Sequence, residues 1–202
     1  MKEIDIKLTE EEYKRGVEKY LSYLMALGFM PGNFTIFYGD EVGVEGLGNL
    51  ANRKTYPWGK EDKSLLEFFR SIGNIRINEE FLKRADLSML KVTRDVLMFE
   101  RSKDNEKALV VVNRTDSEKD FDVPTEYQKK EAVYTLKKSR NGHLGPYGAV
   151  MIKNKYQTEL TSSEISMFDK LLKETNVSIG ILNVCILYVL SEKNGEIPSF
   201  NY

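Results

Sequence analysis

Three features of the sequence predict an α+β fold. Two stretches in the first part of the chain, Tyr13–Leu27 and Lys60–Ile77, place apolar residues at helical spacing. Between them lies a short apolar run, Phe34–Tyr38, with the character of a buried strand. Beyond about residue 90, short apolar runs alternate with polar, Pro or Gly punctuation, the pattern of a small antiparallel sheet.

The first helix has a clear start. Thr9 and Glu12 form a T-x-x-E capping box, and acidic residues fill the first turn. Tyr13, Val17, Tyr20, Leu21, Leu24 and Leu27 then recur on one face. Gly28 and the Pro31-Gly32 pair end it. After the strand comes a loop with four glycines, Gly39, Gly43, Gly46 and Gly48, followed by Arg53, Tyr56 and Trp58. Leu65, Phe68, Phe69, Ile72 and Ile75 mark the second helix. The order helix, strand, loop, helix is a piece of an α/β architecture.

In the second part, Asp95–Arg101 and Lys107–Arg114 flank the polar segment SKDNE, a hairpin signal. Lys119–Val123, Glu131–Leu136 and Tyr147–Ile152 are further short strands. Residues 90–153 are therefore expected to form an alternating antiparallel sheet with a core of its own. Thr161 and Glu164 repeat the capping pattern before a short helix, and the apolar run 178–190 follows. Its 13 residues fall short of the ~20 that span a bilayer as a helix.

Composition narrows the function classes. The 202 residues make one large domain or two small ones. With 30 basic and 31 acidic side chains the net charge is −1, against a surface built to neutralise phosphates. Cys185 is the single cysteine, so no internal disulfide forms and no thiolate cluster can hold a metal. It stands in the apolar run and is expected to be a packed thiol. The N-terminal MKEIDIKLTEEEYKR is charged, with no apolar stretch to read as a signal peptide, so the expected location is cytoplasmic. No cofactor, nucleic-acid or membrane partner is expected.

The run TIFYGDEVG (Thr35–Gly43) resembles the last barrel strand of the α-amylase family, glycoside hydrolase family 13. Five more motifs follow in the family's order: Asn52-Arg53, Pro57-Trp58, then LLEFFR (Leu65–Arg70), then LVVVNRTD (Leu109–Asp116) and PYGAVMI (Pro146–Ile152). The match extends from about Tyr13 to Lys153, in particular to neopullulanase-like and oligo-glucosidase-like members. The resemblance implies a remnant of a (β/α)8 barrel over residues 1–88, an antiparallel β-sandwich domain over 89–153, and a tail of unknown role over 154–202. Loops at the C-terminal ends of barrel strands build active sites, so Gly39–Trp58 would face substrate. The resemblance places Arg53 beside a glucose unit next to the cleavage point. Asn49 and Trp58 are the other candidate substrate-binding residues, Asn49 standing where the family commonly has aspartate. An Arg fork suits vicinal hydroxyls, and aromatic faces stack on sugar rings. Asp40 and Glu41 are expected to bond loop backbone rather than to catalyse.

What the pattern lacks is equally informative. Glycosidic cleavage uses two carboxylates, one on each side of the bond. The family supplies them, with an H-D pair, from earlier barrel strands. Only MKEIDIKLTEEE precedes the first helix here, and the one histidine, His143, lies in the β half, where an edge or turn position is expected. No catalytic or metal-binding residue is assigned. The expectation is a C-terminal fragment of an α-glucan or maltooligosaccharide hydrolase, inactive unless another chain completes the barrel. The alternatives are a non-catalytic carbohydrate-binding or interaction module, or a decayed gene product. Unpaired edges of the lone strand Phe34–Tyr38 also suggest self-association.

Overall fold

The computed structural model describes residues 8–46 and 54–155, with Ser166 and Lys170 besides. The tail expectations, the run 178–190 and Cys185 lie outside the described residues.

Helix α1 spans Glu10–Phe29 and helix α2 spans Lys63–Asn78. The capping box forms as read: the Thr9 side chain accepts from the Glu12 N–H, and the Glu12 carboxylate accepts from the Thr9 N–H at 2.8 Å. Helix α2 starts later than its apolar spacing suggested. The Asp62 carboxylate accepts from the Ser64 and Leu65 N–H groups, which makes it the N-cap. The helices cross closely at Gly28, where a Cβ would meet Ile72 Cγ2 at 2.7 Å.

Seven strands follow: β1 (Asp86–Val92), β2 (Val96–Lys103), β3 (Glu106–Asn113), β4 (Lys119–Asp120), β5 (Ala132–Leu136), β6 (His143–Leu144) and β7 (Ala149–Lys155). Five make one antiparallel sheet in the order β1-β2-β3-β7-β5; β4 and β6 pair separately. The helices lie on one face of the large sheet. There Met25, Phe29, Phe68 and Ile72 bury against Phe99, Val110, Val112 and Met151. On the other face Met98, Leu109, Val111, Val150 and Ile152 meet Phe121, Tyr127 and Leu144. The sheet thus has two cores, one of them shared with both helices. Full burial of a side chain such as Ile72 or Phe99 contributes roughly 1.5–3 kcal/mol.

Three expectations need correction. Phe34–Tyr38 does not form a strand, and Ile36, Phe37 and Tyr38 are 43, 59 and 52% exposed. Among the described residues no neighbouring strand is present to take its N–H and C=O groups, so burial would orphan them. Only Phe34 is packed, stacked on Phe69 at 6.0 Å between ring centres. Second, the central strands do not alternate: six consecutive residues of β3, Ala108–Asn113, are buried, because both faces of the sheet are covered. Third, β1 and β6 were not foreseen, and the strand expected over Lys119–Val123 stops at Asp120. His143 does sit on short β6, with Nδ1 2.8 Å from Asp120 Oδ1.

A buried guanidinium joins the helices to the sheet. Arg101 on β2 is 1% exposed and donates to the carbonyls of Phe29, Leu82, Ala85 and Asp86. Arg76 donates to those of Gly28, Met30 and Gly32. Helix α1 has no basic residue in its own last turn, so these two arginines satisfy its C-terminal end. Among the described residues no helix is long and apolar enough to cross a membrane.

Candidate functional site

The loop after Tyr38 has a rigid root and an exposed crest. At the root, Asp40–Val42 form a single 3-10 turn between two glycines, Gly39 (φ 89°) and Gly43 (φ 75°). Both occupy left-handed backbone, which favours glycine. A Cβ on Gly43 would also meet Tyr13 Oη at 2.2 Å, and one on Gly39 would meet Val44 at 2.7 Å. The turn is closed by the Val44 N–H donating to the Gly39 carbonyl at 2.9 Å.

Both helices grip this root. Tyr13 of α1 donates its hydroxyl to Asp62 at 2.8 Å, and the Asp62 N–H donates to the Val42 carbonyl at 3.1 Å. One turn-pair further along α1, Tyr20 lines the same small cavity as Asp40, whose carboxylate charge bears on its hydroxyl. Burial, reinforced by these carboxylates, pushes both tyrosine hydroxyls well above their usual range. Burial alone would raise Asp62, but bonds from Ser64, Tyr13 and Leu65 outweigh it and hold its carboxyl low.

Asp40 and Glu41 therefore have structural occupations. Glu41 accepts from the Gly39 N–H at 3.0 Å, the loop-backbone role expected of it. Asp40 faces the Tyr20 hydroxyl instead.

The crest is aromatic. Tyr56 and Trp58 are tilted against one another with ring centres 4.4 Å apart, and Tyr38 approaches Tyr56 at 6.4 Å. Trp58 is 81% exposed, so its indole face is open to solvent. Of the three candidate substrate-binding residues, Trp58 thus lies on an exposed aromatic group; Asn49 and Arg53 lie outside the described residues. The sequence reading did not identify Tyr13, Tyr20 and Asp62 as loop clamps. The seven-residue spacing of the two tyrosines is a readable signal of one shared helix face, but it does not say what that face touches.

The comparisons with known proteins agree on a family. A family model described as the maltogenic amylase C-terminal domain matches residues 87–150. An amylopullulanase from Thermoanaerobacterium thermosulfurigenes is 37% identical over 116 residues, covering 52% of this chain and 6% of that protein. A cyclomaltodextrinase from Geobacillus thermopakistaniensis (strain MAS1) is 28% identical over 143 residues, covering 65% of this chain and 24% of that one. In structure, an Anoxybacillus α-amylase superposes with a TM-score of 0.59 at 22% identity, over 71% of this chain and 34% of that one. By these matches the chain is similar to the C-terminal portion of the α-amylase family, glycoside hydrolase family 13. It spans less than a quarter of the length of either sequence relative.

Two glycoside hydrolase family 13 motifs now have a physical role. LVVVNRTD ends β3 and PYGAV begins β7, and they lock together. The Asn113 N–H donates to Gly148 O at 2.8 Å, the Asn113 side-chain amide to Gly145 O at 2.9 Å, and the Tyr147 N–H to Thr115 O at 2.8 Å. Asn113 is fully buried, so its amide must be satisfied internally. These motif residues build the sheet's end rather than a reactive site.

Proposed function

We propose that this chain supplies the C-terminal part of an α-amylase-family glycoside hydrolase acting on α-glucans or maltooligosaccharides, and that it hydrolyses nothing alone. In this reading residues 1–88 are the barrel's last helix, strand, loop and helix. Phe34–Tyr38 becomes a strand when parallel neighbours from another chain pair with it. The observation that carries the reading is the exposed Tyr56–Trp58 pair on a loop whose root is clamped by Tyr13, Tyr20 and Asp62. Such a crest offers a flat apolar face to a sugar ring, held in place by the scaffold. Arg53 and Asn49 would add hydrogen bonds to hydroxyls of the same sugar.

The chemistry must come from elsewhere. A retaining cleavage needs a nucleophile carboxylate and an acid carboxyl about 5–5.5 Å apart. Asp40 and Glu41 are engaged in holding the loop. The test is complementation. This chain is co-expressed with a separate chain carrying the earlier barrel strands, and reducing sugar from maltotriose is measured. Release by the pair and not by either chain alone is expected, and Trp58→Ala should lower it. A folded pair that releases nothing would sink the proposal.

A second reading, a non-catalytic carbohydrate-binding module, draws on the 81% exposure of Trp58. It expects maltotriose to bind this chain alone and to shift the indole fluorescence, with no gain of activity on mixing.

A further inference from the structure

Strand β1 is one of the two outer strands of the large sheet, and we propose that it pairs with β1 of a second copy, joining two five-stranded sheets about a two-fold axis at Ser88. Strand β1 is outermost in the sheet and all seven of its residues are exposed. Among the described residues its free side therefore presents backbone N–H and C=O groups without a ladder partner, a template for another strand. Leu87, Met89 and Val92 line one side of it, at 37, 45 and 63% exposure.

The occupant follows from the order of residues along the ladder. The rungs with β2 are Asp86↔Ser102, Leu87↔Arg101, Ser88↔Glu100, Met89↔Phe99, Lys91↔Met98 and Val92↔Leu97, with a register shift that leaves Leu90 out. Lys91 thus takes the ladder position next to Met89, on the same face as Asp86 and Ser88. A symmetric antiparallel pair must have its axis on a residue facing its own copy. With the axis at Ser88, each Leu87 faces a Met89 and each Asp86 faces a Lys91. All five rungs are then compatible: two apolar pairs, two opposite-charge pairs and one Ser–Ser pair. Without the shift, Asp86 would face Leu90. Moving the axis to Met89 sets Leu87 opposite Val92 and Ser88 opposite Lys91, which keeps an apolar pair and loses both opposite-charge pairs. The edge is therefore complementary to itself in one register. This pairing does not depend on the glucan reading, since it involves none of the loop residues.

The test uses the full chain. Sedimentation velocity across micromolar concentrations should show a reversible monomer–dimer equilibrium. A seven-residue edge with its flanking side chains buries less than the ~1,200 Å2 of a standard stable interface, so the dimer should be weak. Asp86→Lys puts lysine against lysine on two rungs and should weaken association about tenfold or more. The double exchange Asp86→Lys with Lys91→Asp should restore it. In a Cys185→Ser background, Ser88→Cys should crosslink to its copy on mild oxidation, since facing residues lie about 4.5–5.5 Å apart between Cα atoms. A chain that stays monomeric throughout overturns the proposal. So does a dimer that ignores Asp86→Lys, or one the double exchange does not recover. A monomer whose β1 amides are protected from exchange also overturns it, assigning the edge to another segment of the chain.

Discussion

Tyr13 and Asp62 are 49 residues apart in sequence and joined by a 2.8 Å hydrogen bond. That bond links the first turn of α1 to the N-cap of α2, with Gly43 beneath the hydroxyl. One carboxylate thereby caps a helix, orders a tyrosine and fixes the loop root. Removing the Tyr13 hydroxyl with Tyr13→Phe should cost about 1 kcal/mol. Asp62→Ala removes the cap as well and should cost about 2 kcal/mol. For a chain of this length each kcal/mol lowers Tm by about 2–4 °C, so differential scanning calorimetry resolves the order.

The same groups set a pH dependence. The Tyr13 and Tyr20 hydroxyls titrate higher in the folded chain than in the unfolded one. Folding then favours their protonated forms. This contribution is complete below the unfolded tyrosine value of about 10 and is lost as pH rises above it. The opposite holds for Asp62, whose carboxyl is held low. Its contribution is present above the unfolded aspartate value of about 3.9 and is lost as pH falls through the folded value. Urea unfolding should therefore show stability falling above pH 10. The slope should flatten in Tyr13→Phe and Tyr20→Phe. An equal slope in all three proteins would reject the assignment.

Glycines give a paired prediction. Gly43→Ala forces a Cβ within 2.2 Å of Tyr13 Oη in left-handed backbone and should destabilise by about 2 kcal/mol or more. Gly16 and Gly73 are helical with nothing within 4 Å of an added Cβ. Alanine at either should stabilise by about 0.5–1 kcal/mol. Thermal melts of the three variants should move in these opposite directions.

Arg101 should be among the least replaceable residues. Its guanidinium serves four carbonyls from three segments, and burial lowers its pKa. Arg101→Lys keeps a charge but cannot span those acceptors, and Arg101→Met orphans them. Losses of about 3 kcal/mol or more are expected, read as a Tm drop or as failure to fold.

Much of this fold was legible because local chemistry decided it. The Thr9–Glu12 box and the helical spacing of both helices depend on residues within one or two turns. The β2–β3 hairpin likewise depends on a short polar turn, at Asp104-Asn105. What was missed depended on partners far away. Phe34–Tyr38 has strand composition, but a strand needs neighbours to accept its hydrogen bonds. Strand β1 has no buried residue, so no burial period marks it. The loop clamps join residues tens of positions apart, and Tyr13 and Tyr20 were indistinguishable in sequence from ordinary core positions. Trp58 was legible as a candidate because an aromatic beside proline in a glycine-rich loop has few structural reasons to be there.

Trp58 separates stability from binding. At 81% exposure with one ring contact, Trp58→Ala should change stability by less than about 1 kcal/mol. Any affinity of this loop for maltooligosaccharide should fall with it. Calorimetric titration beside a thermal melt checks both halves.

The most direct test of the functional account is reducing-sugar release from maltotriose, starch and pullulan by the purified chain alone. The account predicts release no different from a buffer blank, because it takes the cleaving carboxylates from another chain and reads Asp40 and Glu41 as holding the loop. Release clearly above the blank, abolished by Asp40→Asn or Glu41→Gln in a protein that still folds, would contradict it.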